Sequence, residues 1–120
     1  MTEKTLVLFR AEGGGPFKNN VTAVFPYEPH SNAYDMTCYQ HIGQHGGCNM
    51  VWYRTTRAAR PDEYADLKRE LENYGPPDAH YVLEVRQRMP PDALKRRRAV
   101  LAEMNRAAII EGATASEAAQ

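Results

Sequence analysis

The sequence predicts an α+β fold: an antiparallel sheet of about five short strands, one helix packed on a face, and a second, C-terminal helix. Two patterns predict it. Short runs of strand formers, each closed by Gly or Pro, recur through residues 6–56 and again at 80–86. Two proline-opened stretches carry apolar residues at helical spacing, one over 61–74 and one from residue 90 onward.

Leu6-Val7-Leu8-Phe9-Arg10 reads as the first strand, ended by Gly13-Gly14-Gly15-Pro16. Val21 to Phe25 alternates and reads as the second, stopped by Pro26. The pair forms a hairpin with a loose loop around Lys18-Asn19-Asn20, and Pro26 to Asn32 follows as a loop. Met36 to His41 and Met50 to Thr56 read as the third and fourth strands, with the glycine-rich segment between them as a hairpin loop. Pro61-Asp62-Glu63 opens a helix, because proline suits the first turn and the two acids face the positive end of the dipole. Tyr64, Leu67, Leu71 and Tyr74 share its apolar face, and Gly75-Pro76-Pro77 stops it. His80 to Arg86 reads as the fifth strand. Pro90-Pro91-Asp92 opens the second helix, about residues 91–111, with Leu94, Leu101, Met104 and Ala108 as its stripe. A single α+β domain spans residues 1–111, and residues 112–120, small and polar, read as a flexible tail.

At 120 residues and 42% hydrophobic content the chain buries one modest core and needs no disulfide or metal to fold. Fifteen basic residues balance fifteen acidic ones, which argues against a general nucleic-acid binder. Lys95-Arg96-Arg97-Arg98 is a local basic run, but four consecutive helical residues spread around the circumference instead of lining one face. A solvated helix is the plainer reading of it, and nucleic-acid contact the alternative. No stretch approaches the length of a membrane span or a signal peptide, so a cytoplasmic location is expected.

The chemistry concentrates between Cys38 and Cys48, which enclose Tyr39, Gln40, His41, Gln44, His45 and three glycines. Cys38, His41, His45 and Cys48 are the right ligand types for zinc, and a zinc-stabilised nucleic-acid module is one reading. Against it, side chains alternate along a strand, which sends Cys38 and His41 to opposite faces. No metal or other cofactor is therefore expected. A second reading takes His41 and His45 as an acid–base pair in a small enzyme or nucleotide-binding protein. The segment holds no cation for a phosphate and no partner for a triad. A third reading is an exposed binding surface of His41, Gln44 and His45 with Tyr39 and Trp52, whose glycines take positive φ in a tight turn. The plain reading is a turn whose His and Gln satisfy backbone groups. Cys38 is then a core residue and Cys48 an incidental thiol, and a bridge between them is feasible across the hairpin neck.

Phe25-Pro26, the run Tyr39-Gln40-His41-Ile42-Gly43-Gln44-His45-Gly46, and Thr56-Arg57 through Pro61-Asp62-Glu63-Tyr64 to Leu71 resemble a family of small proteins of bacteriophages and other bacterial mobile elements. The resemblance covers about residues 6–85, leaves out the second helix, and carries no known activity. It implies a mobile-element origin, and a mobile-element accessory protein is the leading reading. Together with small size, neutrality and no complete catalytic set, it leads to an expected action by binding a host protein or defence complex, such as a CRISPR effector.

Overall fold

The structure is a computed structural model that describes residues 4–12, 20–40, 45–74 and 80–119, with side chains to residue 111. Its elements run β1 (Thr5–Ala11), β2 (Val21–Pro29), β3 (Met36–Tyr39), β4 (His45–Cys48), α1 (Met50–Tyr53), β5 (Arg57–Ala58), α2 (Pro61–Glu72), β6 (Leu83–Arg86) and α3 (Ala93–Ala119). The strands form one sheet in the order β4-β3-β2-β1-β5. The far edge of β1 is shared end to end. β5 pairs antiparallel with Arg10 and Ala11, while β6 pairs with Thr5 to Leu8. The β6 pairing is parallel, the one departure from the antiparallel sheet expected.

Alternation along the strands divides the core into two layers. Val7, Phe9, Val21, Ala23, Phe25 and Tyr39 face α2, whose Leu67 and Leu71 are fully buried against them. Leu8, Val24 and Met36 face the other way, toward α1 and Met89. The predicted helix face is therefore correct at Leu67 and Leu71, with Phe9 and Tyr64 stacked at 4.4 Å beside them. Glu63 serves the start of α2 twice. It accepts the Arg60 backbone N–H at 2.9 Å and two hydrogen bonds from Arg57 of β5, at 2.7 and 2.6 Å.

Beyond the shorter β3 and β6 and the additional strand β5, four boundaries differ from the sequence reading. β2 continues through Pro26 to Pro29 because its register against β3 shifts between Phe25 and Pro29, and a bulge tolerates proline. Met50 to Tyr53 is a turn of helix, not a strand: Asn49 Oδ1 accepts the Trp52 N–H at 2.9 Å, and the Thr55 and Thr56 hydroxyls donate to the Trp52 and Tyr53 carbonyls at 2.6 Å. The strand opposite β3 is instead His45 to Cys48, inside the segment read as loop. α3 runs on to Ala119, through the stretch read as a tail beyond residue 111.

Candidate functional site

The β3–β4 hairpin is where the sequence concentrates its reactive side chains, and its register sorts them onto two faces. Tyr39 lies directly opposite His45, Cys38 opposite Gly46, and Met36 opposite Cys48. Tyr39 and His45 therefore face the α2 side, while Cys38 and Cys48 face the α1 side. His41 and Gln44 lie outside the described residues. Among the described residues no three His, Cys, Asp or Glu side chains gather as metal ligands, and in the hairpin register His45 faces away from both thiols.

On the α2 side His45 sits among Tyr39, Tyr74, Tyr81 and Phe25, with ring centroids 4.9 to 6.2 Å away. Its Nε2 is hydrogen-bonded to the Tyr81 hydroxyl at 3.0 Å. Burial lowers its pKa, which favours the neutral ring. Tyr39 is 1% exposed, so it packs in the core and does not line a surface. Its hydroxyl donates to Glu70 at 2.9 Å, and burial followed by that carboxylate pushes its pKa up to about 12. The aromatic cluster joins the hairpin to the end of α2 and to the residues leading into β6. Nothing in a linear reading of His45 pointed to Tyr74 or Tyr81, about 30 residues downstream, because these contacts follow from how α2 and the approach to β6 pack on the sheet.

On the α1 side the two cysteines are free and half-buried, and both line one cleft. The neighbouring Cys48 lowers the pKa of Cys38, while Cys38 and burial raise that of Cys48. Trp52 is also half-buried on this side, its indole N–H 3.4 Å from Glu12. Neither Gly46 nor Gly47 has positive φ; both are extended in β4. Gly47 is there for space, since a Cβ would lie 2.6 Å from the His30 ring, whereas Gly46 opens onto a cleft beside the thiols.

The basic run divides. Arg97 is 3% exposed and donates to the Pro26 and Ala33 carbonyls at 2.7 and 2.8 Å, which pins the root of α3 to the body. Arg96 pairs with Asp92 at 2.8 Å and covers the Tyr27 ring, and Arg98 reaches the Tyr34 hydroxyl at 3.1 Å. With Lys95 exposed on another side, the run forms no single basic face.

Beyond Leu101 the described side chains of α3 are all exposed, and they include Met104, Ile109 and Ile110 at 57, 72 and 59%. At its root an apolar groove of about 580 Å³ runs between Met50 and Val51 of α1 and Pro90, Pro91 and Leu94. No helix among the described residues is long and apolar enough to cross a membrane. Comparison of the chain with protein-family models, with curated proteins and with solved structures returns no match.

Proposed function

We propose that this chain is a mobile-element accessory protein that acts by binding a host protein, with a defence complex such as a CRISPR effector as the most concrete target. The observation that carries the reading is the projecting half of α3. Its 27 residues extend about 40 Å, while among the described side chains only those of the first turns pack on the body. Met104, Ile109 and Ile110 are then large apolar side chains in water, which a helix keeps at a cost in solubility unless a partner covers them. The partner fits by accepting an apolar helix in a groove, the mode in which side chains a turn apart act as anchors. The inward Arg97 and the engaged Arg96 and Arg98 favour a protein partner over a nucleic acid.

The test is a plasmid-borne interference assay in bacteria carrying an active CRISPR system. The chain should relieve interference, and the Met104→Asp/Ile110→Asp variant should lose the effect while keeping its melting temperature. The same tagged chain should co-purify with the effector, and the variant should not. Relief that survives the double substitution overturns the role of α3. Full interference in the presence of the folded chain overturns this target.

A further inference from the structure

The α1-side layer gathers sulfur. Both cysteines of the chain and three of its five methionines pack into one cluster: Met36, Cys38, Cys48, Met50 and Met89. The register explains the centre of it. Met36 lies opposite Cys48 and two residues from Cys38 on the same face, so one thioether flanks both thiols. Cys38 lies opposite Gly46, two residues short of Cys48, so the two cysteines are diagonal neighbours. Diagonal pairs stand about 7–8 Å apart. That exceeds the Cα separation of about 4.4–6.8 Å that an unstrained disulfide needs. Both thiols nevertheless lie on one face of the hairpin, pack on the same cluster and line one cleft. Such an arrangement suits an atom placed between the sulfurs better than a bond between them.

We propose that Cys38 and Cys48, flanked by the thioether of Met36, form a binding site for a soft monovalent cation of the Cu(I) class. Thiolate and thioether are the donors that select Cu(I), and a thioether contributes little to zinc. Zinc in a structural site wants four N or S ligands. Among the described residues no group of three His, Cys, Asp or Glu side chains could supply them. Binding breaks two S–H bonds and forms two S–Cu bonds. Two protons leave to solvent, the copper stays in its +1 state, and no electron is transferred. The bis-thiolate product carries one net negative charge. Access runs through the cleft of about 470 Å³ beside Cys38, Gly46, Cys48 and Trp52, where glycine at 46 leaves open space that nothing fills within 4 Å of a Cβ position. The site is independent of the projecting half of α3, so it stands or falls apart from the host-protein reading.

The reduced full chain, titrated anaerobically with Cu(I) held by bicinchoninate, should withdraw one equivalent and show a thiolate-to-copper charge-transfer band in the ultraviolet. Cys38→Ser and Cys48→Ser should each abolish both signals, and Met36→Leu should weaken binding by about 10-fold. Zn(II) should not compete. Undiminished uptake by the Cys38→Ser/Cys48→Ser protein, failure of the wild type to withdraw copper, or equal competition by Zn(II) overturns the proposal. Should a serine variant fail to fold, the wild type decides alone. One equivalent of Cu(I) should shield both cysteines from iodoacetamide in a peptide mass map, and alkylation of either at the unprotected rate overturns the site.

Discussion

Arg57 and Glu63 form a two-pronged pair, Nη1 to Oε1 at 2.7 Å and Nη2 to Oε2 at 2.6 Å, that ties the short strand β5 to the first turn of α2. The Arg57 hydrogen bonds first, and then the Arg60 backbone N–H, hold the Glu63 carboxyl down to about 2. A carboxylate depressed on folding contributes stability that is fully present above its unfolded value near 4.5 and is lost as pH falls toward about 2. Glu63→Gln should therefore lower the melting temperature at neutral pH and converge with the wild type near pH 2. Differential scanning calorimetry across that window checks it. Comparing the two proteins cancels Glu28, whose pKa burial moves the opposite way.

His45 sets a second, higher window. Burial lowers its pKa below 6.5, so the unfolded chain takes up a proton before the folded one does. Its contribution is in place above pH 6.5 and declines as pH falls through the folded value. The melting temperature should drop on mild acidification, and His45→Asn should flatten that part of the profile. A profile unchanged by the substitution would show that another group titrates there.

Arg97 is expected to behave as a core residue. Arg97→Ala leaves the Pro26 and Ala33 carbonyls without their donors, and an unsatisfied buried group costs about 1–3 kcal/mol. Lys95→Ala, on an exposed position two residues away, should stay within about 0.5 kcal/mol of the wild type. Urea unfolding of the two variants side by side separates a structural arginine from a solvated one.

Leu71 is fully buried between α2 and the sheet. Leu71→Ala should cost about 2–5 kcal/mol, as truncation of a buried leucine does. Equilibrium denaturation reads it directly, and a near-zero change would mean that α2 is not packed through this face.

How much of this was legible in the sequence depends on how local each cause is. α2 was readable because Pro61, the two acids and the spacing of Leu67 and Leu71 all act within one helix. α1 was not, since Met50-Val51-Trp52-Tyr53 is equally at home in a strand. Its outcome turns on Asn49 and the two threonine hydroxyls. β4 was hidden because Gly46 and Gly47 are poor strand formers, and only pairing with β3 makes them one. Of the expected surface residues, Tyr39 is buried, while His45 and Trp52 are half-buried in different layers. Facing direction follows from register, which the linear pattern left open. Arg97 looked like its three basic neighbours; the carbonyls that bury it come from 64 and 71 residues away.

The parallel pairing of β1 with β6 also governs when this protein can finish folding. Thr5 meets Leu83, about eighty residues later in the chain, and such distant contacts form late because the loop must close first. During synthesis the hairpins and α2 can assemble as they leave the ribosome, but one side of the N-terminal strand stays half unpaired until β6 emerges. α3 follows directly after that step. A ribosome stalled before residue 86 should hold a nascent chain with an open sheet edge, prone to capture by chaperones or by other strands.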